Sequence, residues 1–578
     1  MNLSEKFGGF DVVRIGIILG LAVTTYLLIL AWNNDYGSKV AAPLADTRSE
    51  LPSPASLPSA SASPGFAEVP GIAGEADVVR DEIPELASSP VVDPTRLVPP
   101  AVAPPVVRIE TDVLSITVDP RGGDITAVLL PAYPVSLDSA DSFPLIDAYN
   151  EYSIQTGLIG RDGVDKPTGR PVYRADATIY RMDGKETLIV DLVHESETAI
   201  ITKRFTLRRG DYLVDIDYLI TNRGFSDWQG AMFAQIKRNG ADPQIEEQAG
   251  MGLQPYVGGA TFTLDENYHK LDFEDIAELP FEQRINGGYM SMVQHYFVTA
   301  LVPKDAGENH YQARKLKSRD VYLMGLTAPT ISVPVGAEAS TGVKFYAGPK
   351  NQYRLSEIAE GLDLTVDYGF LWWLAQPLFY LLTKIHSVVD NWGVAIIILV
   401  IIIKACLYPL SAASFRSLAK MKKLQPEMVR LKERHADDRQ QFSQAMMELY
   451  KKEGANPFGG CFPILLQMPV FLALYWALME SVELRQAPFA LWIHDLSAMD
   501  PYFVLPIIMG GSMFLTQMMQ PEPPDPMQAK VMKMLPIMFT FFFLWFPAGL
   551  VLYWVVNNLL SVLQQWYVNR KIARADKA

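Results

Sequence analysis

A chain of 578 residues that is 49% hydrophobic, with a formal charge of −14 and a mean hydropathy of +0.10, is too apolar for an ordinary soluble protein and too polar to be all membrane. The acidic balance argues against bulk attraction to nucleic acid. The only two cysteines, Cys406 and Cys461, sit at the edges of apolar segments, so the large polar portion has no disulfide framework or cysteine metal site. A membrane bundle joined to an aqueous domain follows.

Residues 1–32 are read as an N-terminal signal anchor and first transmembrane helix. Residues 15–32 are largely apolar without an internal charge, and Asn33, Asn34 and Asp35 follow in place of a small-residue cleavage site. Residues 33–105 are rich in Pro, Ala and Ser and too poor in apolar residues to build a core, which predicts a disordered tether. From 106 to 350 the period changes to two. Leu114, Ile116 and Val118 alternate with Ser and Thr before Asp119-Pro120-Arg121-Gly122-Gly123, and Val214, Ile216, Tyr218 and Ile220 alternate before Asn222-Arg223-Gly224. That pattern predicts an all-β sandwich. Its histidines, His194, His269, His295 and His310, have no metal-binding spacing.

Residues 351–385 carry Trp372, Trp373, Phe379 and Tyr380 among leucines, as expected of an amphipathic helix lying in the membrane interface. Residues 386–414 would be an ordinary second span but for Lys404. A lysine at the centre of a membrane helix costs about 2.5–3.5 kcal/mol. Val400 lies one turn before it on the same face, and Pro409 beyond it bends or opens the backbone. Two readings compete: a lysine that snorkels to the membrane surface, and one that faces a polar, water-reachable cavity.

Residues 415–457 contain ten basic and six acidic side chains. The positive excess predicts a cytoplasmic location, and apolar residues at Met421, Leu424, Met428, Phe442, Met446 and Leu449 predict a helical hairpin with one thin seam. Residues 458–569 supply four further apolar segments, with a polar stripe at Asn557, Asn558, Gln564 and Gln565 in the last. Residues 570–578 form a basic tail. Six spans, five of them in the core, with both termini cytoplasmic and the β domain in the periplasm, satisfy the charge pattern. Fifteen of the 22 methionines fall between Met421 and Met538, either as filler or as adaptable apolar surface. No paired carboxylates or internal repeat suggest a pump or transporter.

The strings DNWGVAIII, YPLSAASFRSLAKMKKLQP, NPFGGCFPILLQMPVFLALYWALM, SVELRQAPFALWIHDLSAMDPY, DPMQ and FFFLWFPAGLVLYW identify a resemblance. From residue 390 to the C-terminus the chain resembles the YidC-type membrane protein insertases of Gram-negative bacteria. Over the tether and β domain the likeness is one of order and size. The resemblance implies a periplasmic β-supersandwich on a six-helix membrane protein of the inner membrane. It implies no enzymatic reaction, no cofactor and no metal. Hydrophobic segments of nascent membrane proteins would move laterally into the bilayer, alone or beside the SecYEG and SecDF translocon components.

The resemblance further implies a positively charged groove lined by Lys404, Val400, Tyr553, Trp554 and Met468, with ribosome or nascent-chain docking near Tyr408, Phe415 and Asp525. Lys404 stands where the family usually has arginine, Val400 where relatives carry threonine, and Trp554 where they carry tyrosine. A lysine supplies a positive point charge without the planar fork of a guanidinium.

Overall fold

In the computed structural model the described residues are 84 and 105–575, apart from 168, 244, 246–254, 306, 436–437, 455–461 and 521–525. Residues 72–578 form one compact unit. Residues 1–71, with the expected anchor, lie outside the described residues, and residues 72–578 hold everything described below.

The period-two segments form two sheets, of eleven and nine strands among the described residues. In the larger, Trp228–Asn239 pairs antiparallel with Ser153–Ile159 and with Val321–Thr327. In the smaller, Leu213–Asn222 lies between Ala199–Arg208 and Glu338–Pro349, so that Ile216 faces Phe205 on one side and Val343 on the other. Alternation drives the packing: Leu114, Ile116, Val118, Val214, Ile216, Tyr218 and Ile220 are all fully buried. Each such side chain removed from water is worth about 1.5–3 kcal/mol. The turn after Val118 needs its glycines. Gly123 has φ +66°, and a Cβ there would stand 2.8 Å from the Lys203 side chain.

Residues 351–385 carry two α-helices with different partners, joined through two short 3-10 turns. Helix α1 (Gln352–Ile358) buries Leu355 and Ile358 in a cluster with Leu213, Ala260 and Tyr289 of the β domain. Gly361 then takes φ +77° and ends that course. Helix α2 (Trp372–Val389) buries Phe379 and Leu382 in the helical core and leaves Trp372, Trp373 and Tyr380 more than half exposed.

The helical portion continues as α3 (Trp392–Cys406), α4 (Tyr408–Arg434), α5 (Arg439–Lys452), α6 (Phe462–Glu480), α7 (Val504–Met518), α8 (Pro526–Phe542) and α9 (Ala548–Ala575). Asn391 caps α3 by accepting from the Val394 amide at 3.0 Å. Pro409 does more than bend a continuous helix: α3 ends at Cys406, and α4 starts with Pro409 in its first turn, at 68° to α3. Among the described residues no single helix is long and apolar enough to cross a membrane by itself, whereas α3 and α4 together are. Helices α4 and α5 meet through Met428 and Tyr450, with Met421, Leu424, Met446 and Leu449 around them.

Candidate functional site

Lys404 sits in the last turn of α3 and is only 6% exposed. The break that follows puts this cation at a helix C-terminus, where the carbonyl ends favour positive charge. Its Nζ donates to Gln467 Oε1 on α6 at 3.1 Å and to Ser561 Oγ on α9 at 2.7 Å. Both acceptors are neutral, and among the described residues no carboxylate pairs with it. Gln467 Nε2 in turn donates to Asn557 Oδ1 on α9. Gln564 Nε2 reaches back to the Lys404 carbonyl at 3.3 Å, serving one of the groups freed where α3 stops. One cation on α3 therefore lies among amides and a hydroxyl from α6 and α9.

The apolar side of the site is aromatic. Trp554 stands edge-on to Phe471 at 4.5 Å between ring centroids, with Phe543 at 5.4 Å and Phe539 at 6.4 Å. Tyr553 is buried and stacks with Phe471 at 6.1 Å. Val400 is buried one turn from Lys404. Met468, next to Gln467, is 43% exposed. Pro469 interrupts the α6 hydrogen-bond ladder beside both, so the segment bearing Gln467 and Met468 meets the rest of α6 at a weak point. Trp554 Nε1, Gln564 Oε1 and Gln517 Oε1 are buried without a protein partner among the described residues. Buried polar atoms of this kind are ordinarily satisfied by water or by a ligand.

The structure thus brings Lys404, Val400, Tyr553 and Trp554 into one helical core and puts Met468 at its margin. Tyr408 lies at the start of α4 and is 36% exposed. Phe415 is buried with Ala412 and Leu418 against Val568 of α9, which fixes the base of α4. Asp525 lies outside the described residues. Gln467 and Ser561, the two partners of Lys404, were not singled out from the sequence. Their signal is faint: a glutamine in an apolar run, and a serine one turn beyond Asn557.

A second junction ties the helices to the β domain. Lys350 Nζ meets Glu480 Oε2 at 2.6 Å with both side chains buried, and His295 Nε2 pairs with the Met479 carbonyl at 2.9 Å. Arg485 donates to the Pro134 carbonyl at 3.0 Å and covers the rings of Phe143 and Phe297. Burial, with Lys350 nearby, pushes His295 down to about 3, so the imidazole is neutral and its Nε2–H donates to that carbonyl. Burial also pushes the Glu483 carboxyl up to about 7. Among the described residues no cluster of His, Cys, Asp and Glu could hold a metal ion.

The chain matches the family model for the 60Kd inner membrane protein over residues 384–575 and that for the YidC periplasmic domain over residues 106–381. The membrane protein insertase YidC of Stutzerimonas stutzeri is 48% identical over 574 residues, covering 98% of this chain and all of that protein. Its counterpart from Pseudomonas fluorescens is 49% identical over 579 residues, covering 98% of this chain and 99% of its own. A crystal structure of an active YidC insertase with its first transmembrane domain resolved aligns at 17% identity and a TM-score of 0.37, over 81% of this chain and 93% of that one.

Proposed function

Because the chain belongs to the YidC family of membrane protein insertases, inner-membrane proteins with a periplasmic domain, we propose that it inserts nascent membrane proteins by drawing their polar segments to Lys404. The observation that carries this reading is a nearly buried ammonium group held, among the described residues, by Gln467 and Ser561. Neutral acceptors satisfy its hydrogen bonds and leave its charge uncompensated. An acidic or polar tail entering the core would supply what the protein withholds, since Coulomb attraction grows as the surroundings dry. The aromatic wall of Phe471, Tyr553 and Trp554, with the exposed Met468, offers the apolar segment a surface on its way to lipid.

In this reading the chain spans the membrane six times, with both termini in the cytoplasm. Residues 15–32 make the first span and α3, α6, α7, α8 and α9 the rest. Helices α4 and α5 form a cytoplasmic hairpin whose exposed cations, with Tyr408 and the segment around Asp525, receive the ribosome or its nascent chain. Phe415 anchors the hairpin's base. Cooperation with SecYEG and SecDF would hand over segments already leaving a channel. Several helices are short: α3 and α7 have 15 residues, about 22 Å, so the bilayer would thin around them.

The test is insertion of a single-span substrate with an acidic extracytoplasmic tail into vesicles holding the full-length protein. Lys404→Arg should retain insertion, and Lys404→Ala should lower it about tenfold or more while leaving a neutral-tailed substrate less affected. Full activity of the alanine variant on the acidic tail overturns the charge-based mechanism.

A further inference from the structure

The C-terminal half of α9 carries a feature that the insertion reaction does not use. Leu559, Leu563, Trp566, Tyr567, Arg570 and Arg574 recur at intervals of three and four, so they share one side of the helix. Leu559 is 48% exposed, Leu563 58%, Trp566 49% and Tyr567 53%. The Arg570 guanidinium lies 5.2 Å from the centre of the Trp566 ring. Along this side the chemistry changes in a fixed order, from aliphatic through aromatic to cationic.

Among the described residues no carboxylate pairs with these cations. Residues 548–575 contain no Asp or Glu, and neither do residues 408–426. Among the described residues Arg570, Lys571 and Arg574 form no ion pair. Packing of Phe415 and Leu418 on Val568 brings the base of α4 to the same level, and with it exposed Arg416 and Lys420. Arg570 and Arg574 therefore stand at one end of the exposed apolar stripe, while Arg416 and Lys420 add positive charge at the same level from the Val568 side of α9. From Ala548, α9 reaches Val568 after about 30 Å, the thickness of a hydrocarbon core, so the aromatic pair falls at the boundary and the arginines just beyond it.

We propose that this column is a binding site for an anionic phospholipid. The phosphodiester sits against Arg570 and Arg574, Trp566 and Tyr567 border the glycerol region, and an acyl chain runs along Leu563 and Leu559. The proposal rests on α9 being a membrane span. A polyanion such as ribosomal RNA would be attracted by the same cations, but it gives no use to an exposed aliphatic and aromatic stripe continuous with them.

The test uses the full-length protein in nanodiscs of phosphatidylcholine with one-fifth phosphatidylglycerol, with the lipid retained through partial delipidation quantified by mass spectrometry. The native protein should retain phosphatidylglycerol in excess of its share, and Arg570→Gln/Arg574→Gln should reduce that preference by about tenfold. The matched control Lys451→Gln/Lys452→Gln on α5 removes equal charge and should leave it unchanged. Equal loss in both variants means diffuse attraction and overturns the site. So does an unchanged lipid preference in the α9 variant combined with lost binding of empty ribosomes. A nitroxide on Leu563→Cys, with Cys406 and Cys461 replaced by serine, separates the two layers of the argument. High oxygen accessibility with no headgroup preference sinks only the lipid site. Water-like accessibility at that position sinks the reading of α9 as a span.

Discussion

Two buried lysines separate the two halves of this molecule. Lys203 of the β domain is fully buried and donates to three backbone carbonyls, Gly122 at 3.0 Å, Gly123 at 2.7 Å and Thr156 at 3.3 Å. Around it Arg170 pairs with Asp124 at 2.9 Å and with Asp165 at 2.5 Å. Burial draws Lys203 down to about 7, opposed by Asp124. Lys404 is nearly as buried and has two neutral side-chain acceptors and, among the described residues, no carboxylate. The first lysine is enclosed by a rigid, charge-matched cage that leaves nothing to offer. The second is held by groups that can let go. Burial of a charge does not by itself separate the two lysines; the counter-ions around Lys203 do.

The largest effect that can break this contrast lies in the β domain. Lys203→Met should lower the stability of the full-length protein in detergent by about 3–5 kcal/mol, read as the loss in unfolding free energy on denaturant titration, because it leaves the carboxylates of the cage in excess. If Lys404→Met destabilises as much, the distinction between caged and open lysine fails. At the junction, Glu480→Ala should cost about 3 kcal/mol by stranding Lys350, whereas Lys350→Met/Glu480→Leu should cost little, since an apolar pair of similar volume often replaces a buried ion pair without loss. Protease sensitivity of the β domain in membranes would report both.

Smaller in size and sharper in meaning is Gln467→Glu. It would give Lys404 the partner that Lys350 already has, and insertion of an acidic-tailed substrate should fall several-fold with thermal stability kept. The smallest effect is that of pH. His295 has its folded value lowered to about 3 against about 6.5 unfolded, so its contribution is complete above pH 6.5 and is lost as pH falls toward 3. Glu483 acts oppositely. Its folded value of about 7 lies above the unfolded one, so its burial is favourable at low pH and is lost as pH rises through 7. Glu483→Gln should therefore stabilise the junction at pH 8 and change little at pH 4, as measured by protease protection at each pH.

Much of the β domain was legible because sandwich strands announce themselves locally: the residues that alternate around Ile116 and Ile216 are those that are buried. The expense of Lys404 was legible for the same reason, since a lone charge in an apolar run needs no partner to be noticed. Its partners were not. Gln467 and Ser561 lie 63 and 157 residues away, and Lys350 and Glu480 are 130 apart. No periodicity links positions that only the packing of α3, α6 and α9 brings together. Pro409 shows the middle case: proline chemistry announced a disturbance, but tertiary packing decided that it would be a full break at 68°.

That break has a consequence independent of the lysine beside it. Where α3 stops and α4 starts, backbone amides and carbonyls lose their intrahelical partners, and hydrocarbon offers none. Gln564 supplies one substitute, and its own Oε1 has no protein partner. In the proposed topology the main chain itself calls for water at this depth, so hydration should persist when Lys404 is made neutral. On the proposed mechanism wetness and charge are separately mutable, so a variant is expected to lose selectivity for acidic tails and still hold open a path for water.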